Sequence, residues 1–203
     1  MSDGLNREFK KGVRNFLAVQ SFSVFEADYH HLRARAGNPQ PMRVNLIKAG
    51  VKVTIQLEDN PGRNSNAFLA YFAPFKAAIK ELQIIPGSQF YASVATGEGV
   101  GSVQLGNDAD YFFTEPLTGC RLALDPNNVV RHIAGDFSNE QMNHMNTGPR
   151  CDGAYFGYPR YWDNDHDAAY ASVVVGRRVG IGQWRFYQQY LTGDNVWLDS
   201  CRI

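Results

Sequence analysis

The sequence predicts an α+β fold, with a central β-sandwich of mixed or mainly antiparallel strands carrying flanking helices and long loops. Three observations predict it. An amphipathic helix pattern opens the chain. About ten short apolar or alternating runs follow, each near the length of a strand. Nineteen glycines and nine prolines are spread along the chain as turn punctuation. The 203 residues, 44% hydrophobic and 13% aromatic, suffice for one core and suit a single catalytic domain over residues 1–203.

The elements follow in order. Leu5, Phe9, Phe16 and Leu17 fall on one face of a single N-terminal helix, with Arg7, Lys10, Lys11 and Arg14 turned to water. Phe22 and Val24 alternate like a strand, and 28–36 has the composition of a short helix stopped by Gly37 and Pro39. Met42–Ile47 and Val51–Leu57 form two β runs joined near Gly50, and 59–66 is a polar loop. Ala67–Phe72 reads as a strand. Over 75–82 Ala and Lys favour helix, against the interruption at Pro74. Further strands are expected over 90–95, 101–105, 111–114, 120–124 and 129–133, with a glycine-rich hairpin tip over 97–101. A long loop with some helix spans 136–168, and strands over 171–175, 183–190 and 196–198 close the chain.

Composition narrows the function. Formal net charge is zero, so the basic excess of a nucleic-acid binder is missing and no nucleic-acid partner is expected. All six lysines lie at or before Lys80, whereas eight of the fourteen arginines follow Cys120. This skew reads either as an Arg-rich exposed face or as a docking surface for an acidic partner. Cys120, Cys151 and Cys201 are too scattered for a disulfide framework or a zinc site, so reduced thiols, no metal and no cofactor are expected. The first sixteen residues lack an apolar signal core, and no run reaches ~18 apolar residues, so neither a classical signal peptide nor a membrane span is expected.

One segment carries a chemical pattern. An apolar strand, Tyr111-Phe112-Phe113-Thr114, leads through a Pro-containing turn to Leu117-Thr118-Gly119-Cys120. Gly119 allows close backbone approach, and N–H groups around it can receive an oxyanion. Twelve residues after the cysteine comes His132. With a turn over 126–128, the two residues sit on adjacent antiparallel strands, where directly opposed side chains have Cβ atoms only ~5 Å apart. An imidazole beside a thiol is how a cysteine nucleophile is activated. A packed core thiol near an unrelated histidine produces the same spacing.

The run Phe112-Phe113-Thr114, Leu117-Thr118-Gly119-Cys120 and then His132 resembles the signature of a family of bacterial glutamine deamidase toxins. That family comprises the Burkholderia lethal factor and the catalytic domain of the cytotoxic necrotizing factors. The resemblance is specific over 111–132; elsewhere it is one of element order, including a C-terminal strand pair around Gly176-Arg177 and Phe186-Tyr187-Gln188. It implies Cys120 as nucleophile, His132 as base and Thr114 as a supporting residue, acting through its hydroxyl or its backbone carbonyl. It also implies a protein-glutamine deamidase, a monomer secreted or injected by a bacterium, acting on a host protein in the target-cell cytosol. Within the family the substrates are Rho-type GTPases or a translation initiation helicase. Two alternatives use the same residues differently: a transglutaminase or cysteine peptidase with the same Cys-His pair, and a non-catalytic β-sandwich binding module.

Other motifs are weaker. Asp163, Asp165 and Asp167 alternate like the start of a calcium loop, but Ala168 stands where glycine is needed, so a solvated loop is expected. His30, His31 and His144 read as surface residues, and Cys151 and Cys201 as inert. The aromatic stretch holding Tyr158, Tyr161 and Trp162 either packs on a sheet or rims the cleft and binds substrate.

Overall fold

The computed structural model describes residues 2–22, 40–58, 65–73, 78–84, 91–98, 100–114, 117, 121–124, 128–133, 156–157, 169–192 and 195–202. The expectations for 28–36 and 136–155, the acidic run 163–167, His30, His31, His144 and Cys151 fall outside these residues. Most of what is described is β, organised as a mixed sheet, smaller sheets and two short helices, consistent with the α+β class.

The single expected helix is two: α1 (Ser2–Lys11) and α2 (Val13–Val19). Gly12 separates them with an extended backbone, φ −170° and ψ 99°. The break redirects the apolar face, so that Val13, Phe16 and Leu17 are buried together with Phe9. Lys10, expected in water, is half-buried: its Nζ donates to the Asn66 carbonyl at 2.8 Å and lies 5.4 Å from the centre of the Phe68 ring.

Strands β1 (Met42–Ala49) and β2 (Lys52–Leu57) form the expected hairpin, with Ala49 paired to Lys52. Gly50 takes φ +62° at the first of the two turn residues, where a tight hairpin twists correctly only with a positive φ. Strand β3 (Phe68–Ala73) pairs antiparallel with β1. Among the described residues, strands β4 (Ala78–Ile84) and β5 (Tyr91–Glu98) pair only with each other. The helical preference over 75–82 therefore gives way to cross-strand pairing from Ala78 onward. Strand β6 (Val100–Gln104) belongs to a different sheet from β5, so 97–101 joins two sheets and is not a hairpin tip.

Next come β7 (Tyr111–Thr114), β8 (Arg121–Leu124), β9 (Val129–Ile133) and the short β10 (Phe156–Gly157). The chain closes with β11 (Ala169–Gly180), β12 (Gln183–Thr192) and β13 (Asn195–Arg202), all longer than expected. The large sheet has the order β13-β12-β11-β7-β3-β1-β2, and the four-stranded sheet β10-β8-β9-β6. Among the described strand pairs only β3 and β7 run parallel; outside the strands, Phe22 makes an isolated parallel bridge to Val53.

Alternation along the strands divides the core in two. Phe68, Ala70, Phe72, Tyr111, Phe113, Val173, Val175 and Tyr187 pack with Phe9, Val13, Phe16, Leu17 and Phe22 under the helices. Their neighbours Tyr71, Ala73, Phe112, Val174, Trp184 and Phe186 pack on the opposite face with Val103, Leu122 and Val130 of the four-stranded sheet. The centre of the large sheet is thus covered on both sides, which is why β3 and β7 read as continuous apolar runs rather than as clean alternation. At Gly176 a Cβ would lie 3.0 Å from both Phe112 Cβ and Phe186 Cε1, so glycine admits the two rings. No described helix is long and apolar enough to cross a membrane.

Two buried amides bind the helices to the sheet. Asn6 accepts a hydrogen bond from the Leu46 N–H at 2.8 Å, beyond the last β3 pairing at Val44, and donates to Asn45 Oδ1 at 2.7 Å. Gln189 of β12 donates to the carbonyls of Leu17 and Gln20, both at 2.7 Å, and accepts from the Phe22 N–H at 2.8 Å. It caps the end of α2, whose carbonyls have no helical partner. Replacing Gln189 by Leu strands these buried backbone groups, each worth about 1–3 kcal/mol. The Gln189→Leu variant should lose about 3 kcal/mol or more in urea denaturation; a loss below 1 kcal/mol would show that the tie contributes little.

Candidate functional site

His132 lies in the middle of β9, paired with Leu122 of β8 on one side and Gly101 of β6 on the other. Alternation along β9 sends Val130 and His132 inward, and both have no exposed surface. Arg131 between them is half-buried. Glycine at 101 leaves one flank of the imidazole without an opposing side chain.

The strand of His132 packs against β3 of the large sheet. Desolvation by burial depresses the His132 pKa to about 4, only partly opposed by the backbone of Ala73 at the C-terminal end of β3. His132 is therefore neutral at physiological pH, the form a general base requires.

Thr114 ends β7 and pairs in register with Ala73. It is buried, and its Oγ1 accepts from the Val174 N–H at 3.0 Å while its O–H donates to the Val174 carbonyl at 3.5 Å. The hydroxyl extends the β7–β11 ladder past its last paired residues, Phe113 and Val175. Of the two routes left open for Thr114, its hydroxyl is thus already committed to β11. Val174 pairs in turn with Gln188, so Gln188, Val174, Thr114 and Ala73 make one transverse row facing the His132 strand.

The expected adjacency of strands is present: β8 and β9 are antiparallel neighbours. Leu122 stands opposite His132, and the described part of β8 begins at Arg121. Asn128, before β9, has φ +61°, and its side chain donates to the Gly182 carbonyl at 2.9 Å. Cys120, Gly119, Tyr158, Tyr161 and Trp162 lie outside the described residues. Cys201 falls in β13.

Ala73 and Val174 carry no sequence signal, because each acts through its backbone. Gln188 had one: it is a polar residue at an inward position after Trp184 and Phe186, and it is almost fully buried. Among the described residues no three metal-binding side chains gather.

The depressed pKa makes stability depend on pH. Between about pH 6.5 and 4 the unfolded chain protonates His132 while the folded chain holds it neutral. Stability is thus fully present above 6.5 and falls as pH drops toward 4, by up to about 1.4 kcal/mol per unit and roughly 3 kcal/mol in all. In urea titrations at stepped pH, His132→Leu should remove this component of the acid slope. A slope identical to that of the wild type would contradict the buried, neutral placement.

No protein-family model matches the chain, and no curated protein matches it.

Proposed function

We propose that the chain is a protein-glutamine deamidase, a bacterial toxin or effector using Cys120 as nucleophile and His132 as base. In this reading the two packed sheets are the central sandwich of the deamidase fold. The observation that carries it is the packing of β9, which holds buried His132, against β3, whose Ala73 is the register partner of buried Thr114. These residues are far apart in sequence, and two of them belong to the motif that resembles the toxin family. The third member, Cys120, is one peptide bond before Arg121, the first residue of the strand beside His132.

With His132 neutral, the reaction starts from thiol and imidazole rather than from a preformed ion pair. The imidazole takes the thiol proton as sulfur bonds to the carboxamide carbon of the substrate glutamine. The tetrahedral oxyanion is received by backbone N–H groups around Gly119 and Cys120. The C–N bond then breaks, the imidazolium protonates the departing nitrogen, and ammonia leaves a thioester. Water, deprotonated by His132, attacks that thioester; the C–S bond breaks and the thiol regains its proton. Glutamine and water become glutamate and ammonia.

Full burial of His132 favours a second reading, a binding module in which the imidazole only fills the core. The two readings separate on reactivity. A eukaryotic lysate treated with the protein should contain a peptide whose glutamine gains about one mass unit, and Cys120→Ser should abolish the gain. A gain that survives in Cys120→Ser would sink the deamidase reading, as would a Cys120 inert to iodoacetamide near neutral pH. For the active protein, the acid limb of kcat/KM should lie near pH 4, below the ordinary histidine value, because the base must be neutral. An acid limb near 6.5 would remove His132, in this environment, from the base role.

A further inference from the structure

The arginine skew of the C-terminal third acquires a geometry once the strands are in register. Arg177 of β11 pairs directly with Arg185 of β12, and Arg185 with Arg202 of β13. Residues directly opposed on antiparallel strands point to the same face, with Cβ atoms about 5 Å apart, and like charges so placed destabilise the sheet. Arg177 follows Val175 by two residues and Arg185 precedes Tyr187 by two, so both lie on the helix-bearing face. Arg185 is exposed and Arg177 half-buried, so the helices leave this end of the face open. Neither guanidinium forms an ion pair or a side-chain hydrogen bond with a described residue.

The row continues into a cleft. Arg177 pairs on its other side with Tyr111, which lines an open cleft of about 430 Å³ together with Lys10, Arg43, Phe68, Asp108 and Arg178. Burial, and after it the charge of Arg43, lowers the Lys10 pKa. Among the described residues, the carboxylates that line the cleft are Asp108 and Asp110, and Asp110 is already clamped by Arg178 Nη2 at 2.5 Å. A track of positive charge thus runs from Arg185 through Arg177 and past Tyr111 to Lys10 and Arg43. It begins at the end of β3 and β7 opposite Ala73 and Thr114, so it is separate from the candidate catalytic site.

We propose that this track docks an acidic, extended segment of a protein partner, its carboxylates paired with Arg177 and Arg185 and one side chain seated in the cleft. Guanidinium forks match carboxylates in bidentate pairs, and a cluster of opposed arginines is relieved by supplied negative charge. A zero net charge argues against nucleic acid as the occupant, because the long-range attraction that drives such binding is missing. The inference goes beyond the chemistry at Cys120 and stands without it.

The test uses the whole chain and a fluorescein-labelled twelve-residue peptide of alternating Glu and Ser, read by fluorescence polarisation. The wild type should bind it, more weakly as salt rises, and Arg177→Gln/Arg185→Gln should weaken binding at least tenfold. The urea midpoint of the double variant should be unchanged or raised, because like-charge repulsion is removed. Binding that changes less than twofold overturns the proposal, as does a lowered midpoint with unchanged affinity, which makes the arginines structural. Tighter binding of a labelled twelve-nucleotide RNA than of the peptide also overturns it. Cys120→Ser should bind the peptide like the wild type, which keeps this result independent of deamidation.

Discussion

The fold depends on β7 being buried on both faces. Its four residues stand between β3 and β11 and join the N-terminal strands to the C-terminal ones. Tyr111 and Phe113 enter the core under the helices, where Phe113 stacks on Phe22 at 5.4 Å and on Phe9 at 5.7 Å. Phe112 enters the other core and meets Phe186 edge-on at 5.6 Å. Each ring removes a large apolar area from water, and one short strand thereby couples both layers to the central sheet. Thr114, the polar residue of the four, stands where the ladder to β11 runs out and completes it with its hydroxyl.

Burial on two sides has a cost, because polar groups inside must find partners. Asn6 and Gln189 satisfy backbone groups at the places where helix and sheet do not complete each other. His132 is the ionisable counterpart. Inserted between two sheets, it cannot keep a proton at neutral pH, so the packing that stabilises the fold also sets the ring's protonation state. The neutrality of the ring is in this sense a by-product of layer packing: it follows from the desolvation that the second core imposes.

The two ends of the parallel β3–β7 pair differ in character. One end gathers Ala73, Thr114 and His132 in a dry interior. The other opens to solvent with Lys10, Arg43, Tyr111 and Arg177 around it. A parallel pair presents the same chain end of both strands at one edge, so the β3–β7 pairing separates the buried polar cluster from the charged surface. The hydrogen-bonded ladder between these ends is short, and β7 spans it with four residues.

Several features were legible in the sequence because they depend on local chemistry. The amphipathic N-terminus, the hairpin at Gly50, the strands at 111–114 and 129–133, and the pairing of β8 with β9 follow from periodicity and turn residues acting within a few positions. The motif around Thr114 and His132 was legible as a pattern of residue types. The break at Gly12, the strand character of Ala78–Ile84 and the separation of β5 from β6 were not, since each is decided by which distant strand supplies hydrogen bonds. Nor could the sequence assign Ala73 to His132, Val174 to Thr114 or Gln189 to the end of α2. The Thr114 and Gln189 hydrogen bonds join residues 60 to 172 positions apart, and both run to backbone atoms of a kind that every residue shares. Sequence alone determined which side chains were available and which short runs would be strands. Only the tertiary structure decided which ones met, because burial between two sheets, and with it the neutral imidazole and the alignment of arginines, arises from strand order and register that no local pattern encodes.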